Sequence, residues 1–371
     1  MAQSANLAAT QATPSGVLPA ETLSALIGQG AIRLAGPLGR RQLQPASLDL
    51  TLGVRGWRVR ASFLPSRARR VVDRLADGLQ MHEIDLRAGA VFERGCVYLV
   101  ELRERLVLPA NVVAAANPKS STGRIDVFVR LVTDQAAAFD EAAAGYEGPL
   151  YAEISPRTFS IVAREGSSLN QLRLKRGQCR IDDAALRRLH GAAPLIDAEA
   201  DIEGGVGLRV KLAGKPGEIV GWRARRHAAL IDVDAVEAHA ADDYFEPIAA
   251  PKQGFIILDP DEFYILASRE ALVIPPDYAA EMTPINPGLG EFRVHYAGFF
   301  DPGFGWSPGR SAGSRAVLEV RSHDAPFVLE EGQLVARLAY ERMAARPERL
   351  YGEELSSNYQ GQGLKLSKHF R

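Results

Sequence analysis

The sequence predicts a mainly β protein made of two tandem copies of one barrel-like or sandwich-like domain, with few short helices. Three observations predict it. Apolar residues come in short runs broken by Pro and Gly, such as Ser47-Leu48-Asp49-Leu50-Thr51-Leu52, Cys96-Val97-Tyr98-Leu99-Val100, Asp126-Val127-Phe128-Val129 and Phe159-Ser160-Ile161-Val162. Alternation in several of these turns one face inward, and many short strands at close spacing argue for a sandwich or barrel. Long helical patterns are few. The third observation is an internal repeat. Val97-Tyr98-Leu99-Val100 returns as Phe263-Tyr264-Ile265-Leu266, Leu106-Val107-Leu108-Pro109 as Leu272-Val273-Ile274-Pro275, and Glu153 falls on Glu319, each 166 positions later. That period far exceeds a solenoid repeat, so each copy is expected to be a domain.

Taken in order, residues 1–16 are Ala/Gln/Ser/Thr-rich and read as a disordered tail without the charged and apolar regions of a signal peptide. Glu21 to Gly28 reads as a short amphipathic helix ended by glycine. The strands that follow fill copy one, residues 17–192, whose clearest helical stretch is Asp182 to His190. A linker is expected within Gly191 to Gly207, where Ala, Gly, Asp and Glu dominate. Copy two is expected over 200–352. The stretch from Glu353 to Arg371 is polar and contains glycine, which reads as a mobile lid or tail.

Composition narrows the function classes. Across 371 residues the net charge is −1 and 46% are hydrophobic, as in an ordinary soluble globular protein. No basic excess argues for a nucleic-acid partner, and Arg67-Ala68-Arg69-Arg70 and Arg223-Ala224-Arg225-Arg226 read as solvated faces. Cys96 and Cys179 make no disulfide framework and no CxxC pair, which fits a reducing cytoplasm. No apolar run approaches the length of a membrane span.

The chemistry-bearing residues sit in a few segments. In Pro118-Lys119-Ser120-Ser121-Thr122-Gly123-Arg124, two hydroxyls and a planar guanidinium suit phosphate oxygens, and Gly123 lets backbone approach a ligand. The same Ser-Ser-Thr-Gly is also an acceptable turn. Glu153 and Glu319 each stand inside an apolar strand pattern, where burial raises a carboxyl toward a value useful for proton transfer. The plain alternative is a glutamate on the wet face of an edge strand. No GxxxxGK[ST] loop is present.

These segments, in this order, resemble the 2'-deoxycytidine 5'-triphosphate (dCTP) deaminases, which share the dUTPase-like β-barrel, a distorted jelly-roll or β-clip. Pro45 to Gly53 is similar to the family's first strand signature, and Ser120, Ser121 and Arg124 to its phosphate loop. Phe300-Asp301-Pro302-Gly303-Phe304 is similar to its substrate hairpin, Val317-Leu318-Glu319-Val320 to its glutamate strand, and Asn358 to Lys368 to its C-terminal lid. The resemblance implies hydrolytic deamination of dCTP to dUTP and ammonia in pyrimidine deoxynucleotide synthesis. It implies a glutamate as general base, Glu319 or Glu153. Ala297 would meet the base edge and Asp301 the deoxyribose. Ser120, Ser121 and Arg124 would meet the phosphates, with Tyr359, Gln362 and Lys368 in the lid. It also implies Mg2+ arriving on the triphosphate and self-association of the domains within or between chains.

Zinc deaminases carry HxE and PCxxC signatures that this chain lacks, so the expected chemistry is a positioned carboxylate and water, without zinc. Three departures stand out: Gly298 and Phe299 occupy hairpin places where the family usually has histidine and a basic residue, and Asn358 stands for a lysine. The copies diverge in a complementary way. Copy one keeps Ser120, Ser121 and Arg124, where copy two has Asn286, Pro287 and Gly290; copy two keeps the hairpin and lid, where copy one has the Ala-rich stretch Asp134 to Gly145. A site at the junction of the copies follows, with Glu319 at work, Glu153 a structural remnant, and the Arg124 loop exposed. Two alternatives stay open: a dUTP diphosphatase or bifunctional enzyme using Asp126 or Asp301, and a non-catalytic nucleotide sensor.

Overall fold

A computed structural model describes residues 14–283, 292–295, 298–309, 313–322, 324–352 and 359–371. The expectations placed on Ala297, Asn286, Pro287, Gly290 and Asn358 lie outside these residues, as does most of the tail, 1–13.

Copy one is built on the long strand Val97–Val107, which pairs antiparallel with Leu52–Val59 on one side and Glu147–Pro156 on the other. Its even positions Tyr98, Val100, Leu102 and Leu106 are buried on one face, as the alternation requires. Val127–Thr133 extends this sheet beyond Glu147–Pro156. A second sheet joins Val112–Pro118, Asn170–Arg176 and Ser47–Leu50, with Gly16–Val17 added at its side. Apolar faces of the two sheets meet in one core. The expected helices form as Ala20–Gly28 and Asp183–Ala192, the latter capped by Asp182 accepting from the Ala185 amide.

Copy two repeats the plan with the register kept. Leu99 opposes Glu153 in copy one, and Ile265 opposes Glu319 in copy two. Phe92 opposes Ile161, and Leu258 opposes Phe327. Ala114 opposes Leu174, and Ala280 opposes Tyr340. Each pair in the second set lies 166 positions after its counterpart, so the sequence repeat is a repeat of strand pairing.

The copies are joined as well as stacked. Ile231–Asp232 of copy two runs parallel to Ile161–Ala163 of copy one. Phe245, Phe263, Ile265 and Phe370 share the core of copy one. Two expectations need correction here. The stretch Gly191 to Gly207 is not a loose linker, because Leu195, Ile196 and Ile202 are buried in the core of copy two. The C-terminal stretch is not a mobile tail over its described part. Tyr359, Ser367, His369 and Phe370 are buried, and Phe370 packs edge-on against Phe245, so apolar burial offsets part of the entropy lost in ordering the segment.

Candidate active site

The phosphate-loop segment folds as one helical turn, Ser120–Gly123, between Val112–Pro118 and Val127–Thr133. Opposite it, strand Ser314–Ser322 of copy two presents Glu319, which is 2% exposed. The two are so close that a Cβ on residue 123 would overlap the Glu319 carboxylate. Any larger residue there would force the Glu319 carboxylate to move.

Glu319 and the helical turn line one cavity of about 300 Å³, together with Asp301, Tyr359, Gln362 and Lys368. Of the site residues expected from the sequence, Ser120, Ser121, Arg124, Asp301, Glu319, Tyr359, Gln362 and Lys368 thus meet in one place. Glu153 does not. Its carboxylate is 3% exposed and held by Arg130 at 2.6 Å, with the Phe139 ring stacked 3.5 Å from that guanidinium.

Arg124 departs from expectation. It is 3% exposed, not on an exposed loop. Its fork is taken by the C-terminal segment: Nη1 donates to the Lys365 carbonyl at 2.9 Å and Nη2 to Gln362 Oε1 at 3.0 Å. The guanidinium also stacks 3.8 Å over the Tyr359 ring, a desolvated cation–π contact. Ser367 Oγ donates to the Ser121 carbonyl at 2.8 Å, and the Lys368 amide to the Tyr359 hydroxyl at 3.3 Å. The segment is thereby fastened across the cavity. Arg124 Nε, by contrast, is buried without a hydrogen-bond partner among the described residues.

Charge around the cavity is balanced by pairing. Burial pushes the Asp301 carboxyl up, opposed first by the Arg173 charge 3.2 Å away. Burial likewise raises Asp49, opposed by Lys119, with which it forms an ion pair. Lys368 is pushed below the ordinary lysine value by burial and then by Lys119. Two lysines and a guanidinium beside two hydroxyls make a place for a polyanion. Among the described residues, no group of three or more His, Cys, Asp or Glu is placed to hold a metal ion.

Sequence reasoning missed Asp49, Lys119 and Arg173. Lys119 immediately precedes Ser120, and its position was the signal. Asp49 and Arg173 each stand in an apolar alternating strand, Leu48-Asp49-Leu50 and Leu172-Arg173-Leu174. The argument that singled out the two glutamates applies to them equally. Asp126, a candidate for the diphosphatase alternative, is fully buried, accepts from Arg321 at 2.8 Å and Thr158 at 2.5 Å, and does not line the cavity.

Comparison with known proteins finds relatives of both copies. Residues 14–178 match the N-terminal domain, and residues 182–370 the C-terminal domain, of 2'-deoxycytidine 5'-triphosphate deaminase. A crystal structure of 2'-deoxycytidine 5'-triphosphate deaminase from Agrobacterium tumefaciens is 51% identical, with a TM-score of 0.85 over 89% of this chain and 99% of that one. The dCTP deaminase of Haloarcula marismortui is 29% identical over 38% of this chain and 71% of its own length. A relative from Beutenbergia cavernae, named dCTP deaminase, dUMP-forming, is 31% identical over 30% of this chain and 56% of its own. With both domain models matched in tandem and the whole fold shared, the chain belongs to the 2'-deoxycytidine 5'-triphosphate deaminase family, hydrolases of carbon–nitrogen bonds, in its long two-domain form.

Proposed function

We propose that this chain hydrolyses dCTP to dUTP and ammonia at a single site built jointly by its two copies, with Glu319 as general base. One observation carries this reading: the Glu319 carboxylate of copy two occupies the space directly over Gly123, in the same cavity as Ser120, Ser121 and Arg124 of copy one. In the reaction, Glu319 takes a proton from water as its oxygen attacks C4 of cytosine. It then delivers that proton to the departing amine, the C4–N bond breaks and the remaining hydroxyl proton passes to N3, so that one water is consumed and one ammonia released. Ser120 and Ser121 hold the phosphates with Lys119 and Lys368 nearby, and Mg2+ arrives on the triphosphate as part of the substrate. Asp301 faces the deoxyribose. Tyr359 and Gln362, already drawn in by Arg124, keep bulk water from the reacting carbon.

Several relatives carry the name dUMP-forming, which favours a second reading in which dUTP is hydrolysed further. That step needs an aspartate able to orient water at the α-phosphate. Asp126 does not line the cavity, and Asp301 is taken up by the deoxyribose in this reading, so dUTP is the expected product. Incubation with dCTP and Mg2+, with ammonia and pyrophosphate assayed separately, tests both readings. Ammonia alone, undiminished after zinc chelation, is the expected result. Equimolar pyrophosphate establishes the second reading. Binding without either product leaves a nucleotide sensor, and activity restored by zinc alone overturns the carboxylate mechanism.

A further inference from the structure

Arg173 is the largest fully buried side chain among the described residues, with 0% exposure, and it belongs to neither the cavity lining nor its own copy's core. A buried guanidinium is costly unless its donors are matched. Here all the matching is supplied by copy two. Nη1 donates to the Ala280 carbonyl at 3.1 Å and to Glu341 at 3.3 Å. Nη2 donates to the Phe300 carbonyl at 3.3 Å and to Asp301 Oδ1 at 3.2 Å. The guanidinium plane stacks 4.0 Å from the Phe299 ring. Residues 299, 300 and 301 form the hairpin that lines the cavity, so this one side chain holds three consecutive positions of it.

The strand does not need an arginine there. The equivalent position in copy two, fixed by the shared register of the pairs at Leu174 and Tyr340, is Ala339, also buried. Nor is it needed simply to glue the copies, because Lys175 on the same face already pairs with Glu341 at 2.6 Å and Glu281 at 3.2 Å. Lys175 reaches the hairpin only at the Phe299 ring, 6.0 Å away, and Asn117 only at the Gly298 amide, whereas Arg173 bonds the Asp301 carboxylate. It engages one oxygen of Asp301, and Oδ2 has no protein donor among the described residues although the residue lines the cavity.

We propose that Arg173 is a positioning residue for substrate recognition: reaching from copy one, it fixes the Asp301 carboxylate of copy two so that the remaining oxygen accepts the 3'-hydroxyl of the deoxyribose. The proposal rests on the reading that Asp301 faces the sugar. The Arg173 charge also opposes the rise that burial imposes on the Asp301 carboxyl. The residue acts through Asp301 without touching the nucleotide.

The test compares dCTP with 2',3'-dideoxycytidine triphosphate, which lacks the hydroxyl in question. Affinity is measured by equilibrium binding and turnover by ammonia release. Arg173→Lys keeps the charge and loses the two-pronged grip. It is expected to lower the preference for dCTP over the dideoxy compound about tenfold, through KM, with the dideoxy compound handled within about twofold of the parent. Asp301→Asn calibrates the assay and should collapse the same preference. Should Arg173→Lys fold poorly, Arg173→Met with Glu341→Gln removes the cation together with an acidic partner and should show the same collapse. Equal losses for both nucleotides mark a structural role and overturn the proposal, as does a preserved preference in a folded variant while Asp301→Asn abolishes it. A preference untouched by Asp301→Asn sinks the sugar assignment itself, whatever Arg173 does.

Discussion

Glu153 and Glu319 occupy one position of one strand, repeated 166 residues apart, and they meet opposite surroundings. Both are buried, both oppose an apolar residue on the neighbouring long strand, and both belong to apolar runs. Around Glu153, copy one has placed Arg130 as an ion-pair partner, with Ser62 accepting from the same guanidinium at 2.6 Å and Phe139 stacked over it. Around Glu319 the facing residue is Gly123, and the carboxylate lines a cavity. Fold and burial are therefore the same, and what differs is the neighbour across the gap. Glu153 is held by a cation across that gap, whereas Glu319 borders the cavity over a glycine.

The largest expected effect exploits this difference directly. Glu319→Gln keeps the shape and removes the base, so kcat for ammonia release should fall by roughly 10²–10⁴-fold while nucleotide still binds. Glu153→Gln should leave kcat within a few-fold and lower unfolding stability by about 1–2 kcal/mol, because a buried ion pair is exchanged for a neutral hydrogen bond. Steady-state kinetics and denaturant titration of both variants decide the matter. A dead Glu153→Gln beside a live Glu319→Gln breaks the comparison and moves the site to copy one.

The sequence made much of this visible, for a physical reason. Strand pairing constrains both alternation and spacing, so duplicated strands leave a matching offset in the chain, and the glutamates show because a carboxylate is out of place among apolar residues. The phosphate-loop residues were legible because hydroxyls, a glycine and an arginine stand side by side. Long-range pairing was not. Nothing near Glu153 in the chain announces Arg130 as its partner, since only strand order brings residue 130 opposite 153. The C-terminal stretch was misread as mobile because its composition is polar and glycine-containing. Its anchoring depends on a few points, Tyr359 under Arg124, Ser367 on Ser121 and Phe370 in the distant core, which composition averages away. Arg124 was read as exposed for the same reason.

That misreading changes what an arginine substitution should do, and it gives the second effect in size. Arg124→Ala removes a charge from the cavity and also the clasp on Gln362, Lys365 and Tyr359. Transition-state binding should weaken by about 2–4 kcal/mol. Stability should fall too, by about 1–3 kcal/mol, because buried hydrogen bonds and a stacked cation are lost. The change at the arginine that holds Glu153, Arg130→Ala, should cost stability without altering KM. Kinetics paired with thermal melts read both, and a melt unchanged in Arg124→Ala would show that the C-terminal segment is held by other contacts.

The smallest effect is a pair of opposite pH slopes, one on each side of the comparison. Asp140 lies near Glu153 and accepts from the Leu131 amide at 2.7 Å; burial is the main cause that raises its carboxyl to about 7, with Glu153 and Glu141 adding to the rise. Its folded value stands above the unfolded one, so between the two the folded state keeps a proton that the unfolded state releases. The stability it confers is complete below the ordinary carboxylate value of 3.8 and is lost as pH rises through about 7. His369 lies behind the phosphate loop, bonded to Ser367 Oγ and the Val233 carbonyl, with Lys368, His239 and Asp234 as its charged neighbours. Burial lowers it from 6.5 to about 4, so the unfolded state binds the extra proton first. Its contribution is complete above 6.5 and is lost as pH falls through about 4. Denaturant titrations across this range should therefore show Asp140→Asn gaining on the parent as pH rises. Over the same range the deficit of His369→Gln should widen. Slopes of the same sign would mean that one of the two groups titrates in a wetter setting than its packing implies, and Asp140, whose carboxylate would then be solvated, is the first to examine by its own titration.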